Sequence, residues 1–204
     1  MRFPNRQNEK QLWQQGYKYI AGLDEAGKGS WAGPLVAAAV ILNPKKRISG
    51  LRDSKLLSAL ARERLYEIIV KQALGWSVGI ISHKAIDETG ITAANISAMT
   101  EALKNLKIAP DYLLIDAVKI RYQNLPAQSV IDGDYKIASV AAASIIAKVT
   151  RDRLMVAWNK EFPAYGFAAH KGYGTKKHYE LLCQHGVCRL HRQSFEPMKS
   201  LIKK

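Results

Sequence analysis

Two acids stand side by side in Gly22-Leu23-Asp24-Glu25-Ala26-Gly27-Lys28-Gly29, a glycine-rich turn reached from an apolar approach of Tyr19, Ile20 and Ala21. Adjacent carboxylates near apolar residues repel one another and resist desolvation unless a cation or a proton neutralises them. The first chemistry to consider is therefore divalent-metal binding. Two further acids have a similar setting. The apolar run Tyr112-Leu113-Leu114-Ile115 ends in Asp116, and Asp134 follows Ser129-Val130-Ile131 just before a long helical pattern. Open α/β sheets place their sites at strand ends. Each acid alone also has a structural reading: Asp116 can simply end a strand, and Asp134 can cap the helix that follows. Their weight comes from occurring together.

The elements that must position these acids are legible as patterns. Apolar runs predict strands at 19–24, 34–42, 75–81 and 112–116, the second rich in small residues and so packed on both faces, and a further strand is expected at 127–131. Helical spacing predicts helices at 58–73, with Leu65, Ile68 and Ile69, and at 92–106, with Ile96, Met99, Leu103 and Leu106 on one stripe. A long Ala-rich helix is expected over 137–160. Beyond Pro163 the chain turns to Gly, His, Lys and aromatics, where Thr175 reads as an N-cap and Gly186 as a helix stop. The expected organisation is a polar leader at 1–16, an α/β domain at 17–165, and a basic helical segment at 166–204 packed on the site.

A chain of 204 residues is long enough for one sizeable core, and 48% apolar with 24% charged residues is ordinary for a globular protein. The charge is not ordinary. Thirty-one Lys and Arg against 17 Asp and Glu leave +14, which points to a polyanionic partner, most commonly nucleic acid. From Lys148 onward twelve basic residues face four acids, so +8 of that excess lies in the C-terminal part. No window has the ~18 unbroken apolar residues of a membrane span, the N-terminus lacks the apolar core of a signal peptide, and two cysteines make no disulfide framework. The expectation is a reduced, cytoplasmic protein with no membrane association.

Three motif matches fail on inspection. Gly22-x-x-x-x-Gly27-Lys28 begins like a phosphate-binding loop, but Gly29 stands where Ser or Thr should ligate magnesium, and Asp24 and Glu25 would repel the phosphates. Gly27-x-Gly29-x-x-Ala32 imitates a dinucleotide fingerprint, yet a strand and not a helix follows it. Cys183, His185, Cys188 and His191 are four zinc-ligand types within nine residues, too compact for the paired spacing of structural zinc sites.

Taken in order, Ala21-Gly22-Leu23-Asp24-Glu25-Ala26-Gly27-Lys28-Gly29, Ala32-Gly33-Pro34, Asp53-Ser54-Lys55, Leu114-Ile115-Asp116, the string from Ala142 to Asp152, and His170-Lys171-Gly172-Tyr173-Gly174 resemble ribonuclease HII, the type 2 ribonuclease H family. The resemblance covers about residues 19–199. It implies a ribonuclease H-like mixed α/β sheet flanked by helices, acting as a monomer. The implied activity is endonucleolytic hydrolysis of RNA paired with DNA, including incision at single ribonucleotides embedded in duplex DNA, by two divalent ions, Mg²⁺ or Mn²⁺. The products would carry 5′-phosphate and 3′-hydroxyl ends, and the setting would be DNA replication and repair. The family's four metal-site acids map onto Asp24, Glu25, Asp116 and Asp134, with Asp132 a decoy and Asp152 a supporting residue. Substrate contacts map onto Gly27, Lys28, Gly29, Ser54, Lys55, Lys148, Lys171 and Tyr173, the tyrosine stacking on the sugar at the RNA–DNA junction.

Two departures stand out from the family pattern: Lys28 replaces the arginine of a Gly-Arg-Gly turn, and Ser30-Trp31 replaces a Pro-Leu pair. Lysine supplies charge without a bidentate fork. A nucleic-acid-binding module without catalysis is the competing class, weakened because a pure binder has no use for four repelling acids. The sister type 3 enzyme usually carries an extra N-terminal domain, for which 18 residues before the first strand leave no room.

Overall fold

Seven consecutive residues, Leu35–Ile41, are buried without exception, because Ala37, Ala38 and Ala39 let helices approach that strand from both sides. It is β2 of a five-stranded sheet in the computed structural model, which describes residues 3–202; the outermost residues of the expected leader and tail, 1–2 and 203–204, lie outside the described residues. The other strands are β1 (Ile20–Ala26), β3 (Gly75–Ile81), β4 (Tyr112–Asp116) and β5 (Ala127–Val130), in spatial order β3-β2-β1-β4-β5. Strands β1 to β3 form an antiparallel meander, while β4 and β5 join β1 in parallel. The helices are α1 (Gln7–Gln14), α2 (Ala59–Gln72), α3 (His83–Thr89), α4 (Ile91–Lys104), α5 (Gly133–Lys136), α6 (Ala138–Glu161), α7 (Phe167–His170), α8 (Lys176–His185) and α9 (Met198–Ile202). Such a mixed sheet flanked by helices is the architecture expected from the sequence.

Alternation along the strands divides the core in two. Val36, Ala38 and Val40 pack with α2 and α6, whereas Leu23, Leu35, Ala37 and Ile41 pack with α4. Close approach is built in. A Cβ on Gly22 would lie 2.2 Å from the Ser139 carbonyl carbon of α6, and one on Gly79 would lie 2.0 Å from the Ala98 oxygen of α4.

Three local expectations change. Strand β1 continues past residue 24, since Glu25 and Ala26 pair with Ala37 and Val36, so both adjacent acids belong to the strand and the turn begins at Gly27. On α4 the buried stripe is Ala94, Asn95, Ala98, Met99, Ala102 and Leu103, and Ile96 is 39% exposed. On α2, Leu65 and Ile69 are buried while Ile68 faces outward at 37% exposure, so the stripe against the sheet is narrower than the apolar spacing suggests. Helix α1 is tied to the domain through Glu9, whose buried Oε1 accepts the Ser139 N–H of α6 at 2.8 Å. Among the described residues no helix is long and apolar enough to cross a membrane.

Candidate active site

Register brings the acids together. Strand β1 runs parallel to β4 with Leu23 opposite Ile115, so one residue further on Asp24 lies level with Asp116. Asp116 ends β4, and its Oδ1 accepts the Gly133 N–H at 2.7 Å, which draws the first turn of α5 and hence Asp134 to the same strand ends. Asp134 is buried and Asp132 exposed. Glu25, next along β1, points to the opposite face of the strand, with Lys28 and Asn95 for company.

Charge repulsion in this cluster is strong. Burial, then the charges of Glu25, Asp116 and Asp134, push Asp24 well above the ordinary carboxylate range. Burial and the neighbouring Asp53 and Asp116 push Asp134 up to about 6. Burial also raises Glu25 and Asp116, against the opposing effects of Lys28 on the first and the Gly133 N–H on the second. The other three carboxylates each have a partner as well: Lys55 Nζ forms an ion pair with Asp134 at 3.7 Å, Lys28 Nζ one with Glu25 at 3.6 Å, and the Glu25 N–H donates to Asp24 at 2.7 Å. Among the described residues no three His, Cys, Asp or Glu side chains form a ready-made metal cage. The acids nevertheless suit a hard divalent ion: all donors are oxygens, two lysines beside four crowded acids leave negative charge over, and Glu25 Oε2 is buried without a partner. Asp53 joins this environment unforeseen. It is 1% exposed, caps the short 3₁₀ turn Ser54–Leu56 through the Lys55 N–H, and leaves Oδ2 unpartnered. The Asp53-Ser54-Lys55 string was the available signal.

Two buried arginines hold the turn after β1, and the sequence did not single them out. Arg192 donates to the carbonyls of Gly27 (2.7 Å), Lys28 (2.9 Å) and Gly33 (3.1 Å). Arg151 donates to Pro34, Ala32 and Lys171 carbonyls and to Ser30 Oγ, which itself donates to the Gly27 carbonyl. Burial, reinforced by the adjacent Arg151, lowers Arg192 to about 9. Gly27 is required by this packing: its φ is +94°, and a Cβ would fall 2.0 Å from Arg151 Nε. Gly29, in contrast, has open space where its side chain would be. The Ser30-Trp31 departure also gains a physical account, for Ser30 joins the Arg151 network and Trp31 lies against Gly174 and His178.

The remaining candidates divide. Lys148 pairs with Asp152 at 2.8 Å and lies 4.8 Å from the Tyr173 ring centroid, with Arg151 at 5.1 Å, so Tyr173 faces two cations. Ser54 Oγ bonds Ser144 Oγ at 2.8 Å, fixing the 3₁₀ turn to α6. The Lys171 ammonium donates to the Ala168 carbonyl, and its own carbonyl accepts from Arg151. Behind Tyr173 a histidine pair closes the base: His178 Nδ1 meets the Tyr173 carbonyl at 2.9 Å, and its Nε2 lies 3.1 Å from His191 Nε2. Among the described residues neither cysteine joins a metal cluster.

The family model of ribonuclease HII matches residues 21–198. Curated proteins named ribonuclease HII are similar over almost the whole chain. That of Listeria monocytogenes is 53% identical over 193 residues, 95% of this chain and 74% of its own length. That of Acetivibrio thermocellus is 51% identical over 187 residues, 92% and 73% respectively. Among solved structures, ribonuclease H2 from Pyrococcus horikoshii superposes with a TM-score of 0.78 at 26% identity, covering 91% of this chain and 98% of that one. Ribonuclease HII of Archaeoglobus fulgidus, solved in complex with PCNA, gives 0.75 at 29% identity, covering 88% and 96%.

Proposed function

The chain belongs to the ribonuclease HII family, and from that premise we propose that it hydrolyses the RNA strand of RNA–DNA hybrids and incises DNA duplexes at single embedded ribonucleotides. It is a ribonuclease H, an endonuclease. The observation that carries the finer reading is the parallel β1–β4 register, which sets Asp24 beside Asp116 with Asp134 drawn in through Gly133. Asp24, Glu25, Asp116 and Asp134 would hold two divalent ions, Mg²⁺ or Mn²⁺, which when bound supply positive charge to both the attacking and the leaving oxygen of a phosphodiester.

The chain's own residues do the rest. Arg192 and Arg151 take up the carbonyls around Gly27, Lys28 and Gly29, so the turn is preorganised and its orientation does not have to be acquired on binding. The open side at Gly29 lets a ribose approach the backbone, where a 2′-hydroxyl can be both donor and acceptor. Tyr173, held by cations at its ring and by His178 at its carbonyl, offers a rigid surface to the sugar at the junction. Lys28 and Lys55 stand beside the acids and can pass to substrate phosphates once ions neutralise the carboxylates.

The test is incubation with a labelled duplex containing one ribonucleotide, with and without Mg²⁺ or Mn²⁺, for the native chain and Asp116→Asn. Metal-dependent cutting, leaving 5′-phosphate and 3′-hydroxyl ends and nearly abolished by the amide with the melting temperature retained, is expected. Full activity in excess EDTA, or unchanged cleavage by Asp116→Asn, would sink the two-metal assignment.

A further inference from the structure

Away from the turn, helix α1 and the loop that follows β2 enclose a cavity of about 940 Å³. Five cations line it: Arg6, Lys10, Lys45, Arg47 and Arg52. Among the described residues its lining contains no Asp or Glu. Arg6 donates through Nη1 to the Asn43 carbonyl at 3.1 Å, while its Nη2 is buried with no partner. Burial lowers the Arg6 pKa, Glu9 opposes this, and Arg47 lowers it further, so two guanidinium groups repel each other here. Five cations lining the cavity outweigh the charge of Glu9 and leave a net positive charge, which suits a ligand of the opposite sign. Arg52 lies over the Phe3 ring at 4.4 Å, fixed at the rim.

The position of the cavity selects the ligand. Arg52 immediately precedes Asp53, the buried carboxylate that raises Asp134, and the wall residue Ala138 is four positions beyond Asp134. Two wall residues of the trough are thus joined to the acid cluster by short stretches of backbone. Small-molecule pockets place a few polar groups among apolar walls, whereas five cations in a lining without an acid suit a polyanion. Resting on the function proposed above, we propose that this trough is a second backbone-binding track, gripping phosphates of the same duplex beyond the step that is cut.

Lys10, Lys45 and Arg47 are exposed, so a Lys10→Gln, Lys45→Gln, Arg47→Gln variant should keep its fold, which thermal melting checks. Binding is read by fluorescence anisotropy in EDTA across a salt series, using one ribonucleotide in a duplex with long DNA arms and in a short duplex confined to the acid site. On the long duplex the slope of log affinity against log salt should shrink by about 2 to 3 in the variant, roughly one for each phosphate that is no longer neutralised, and on the short duplex the slopes should coincide. Equal slopes on the long duplex overturn the track. Polyglutamate bound as tightly as the long duplex, with the same weakening in the variant, also overturns it in favour of an acidic protein. Failure of the function itself reads differently: the native chain would then cut neither duplex in Mg²⁺ or Mn²⁺.

Discussion

Arg192 is the residue on which the turn after β1 depends most, because one guanidinium serves three carbonyls from a fully buried position. Lysine cannot reproduce that fork. Arg192→Lys should lower both melting temperature and cleavage, the latter by about 100-fold if the turn shifts by an ångström; an unaltered rate would show that the turn holds its shape unaided. Lys28 poses the opposite case, an exposed point charge beside Glu25. Lys28→Arg should tighten substrate binding modestly and leave the preference for ribo- over deoxyribonucleotide unchanged, since backbone groups read the hydroxyl. A single-ribonucleotide duplex compared with an all-DNA control would reveal any loss of preference. Tyr173→Ala should impair incision at an isolated ribonucleotide more than cleavage of a long hybrid, which offers other registers; equal losses would mean a general binding or folding role. The histidine pair beneath it has its own signature. Burial lowers His178 and His191 to about 4, so both rings are neutral at pH 6 and an unfolded chain binds more protons than the folded one between about pH 6.5 and 4. The pair's contribution to stability is therefore complete above pH 6.5 and lost as pH falls toward 4. Imidazole NMR resonances of these two residues should not titrate above pH 5.

At the level of elements, helix–sheet contact is governed by glycines that face a helix. Helix α6 crosses β1 at Gly22, where any Cβ would enter the Ser139 and Val140 backbone, two residues before Asp24 on the same strand. Gly22→Ala should cost about 1 to 3 kcal/mol or more in urea unfolding, as overpacking does, and should reduce cleavage as well. A stable variant with normal activity would show that α6 adjusts without disturbing the acids. The N-terminus of α6 depends on another element altogether. Its N-cap residue, Ile137, has no capping side chain, and Glu9 from α1 accepts the Ser139 N–H in its place. A carboxylate there also faces the positive end of the helix dipole. Glu9→Ala leaves a buried N–H unsatisfied and should cost about 1 to 3 kcal/mol, with Glu9→Gln recovering much of it.

Across the molecule, opposite charges are separated into an acidic cluster at the sheet's strand ends and a basic surface around it. The chain carries +14 overall, yet Asp24, Asp53 and Asp134 are buried near one another, so the excess positive charge is displayed outside the acids. A duplex attracted by that surface is brought to the acids, and its association should weaken steeply with salt. The trough beside α1, lined by five cations and no acid, follows the same division of charge.

Local signals specified much of this protein. Apolar runs marked the first four strands to within a few residues, Thr175 caps α8 as its hydroxyl predicts, and the four candidate acids were proposed from type, setting and family resemblance. These depend on residues close in sequence. The features that emerged only on folding depend on residues far apart. Pairing with β2 carries β1 through Glu25, and the β4 register sets Asp24 level with Asp116. Arg151 and Arg192 are buried because carbonyls from distant loops surround them, Glu9 caps a helix 130 residues away, and Asp53 faces Asp134 across the sheet's end. No spacing or periodicity in one chain encodes such encounters, since each requires the sheet and its helices to be assembled first.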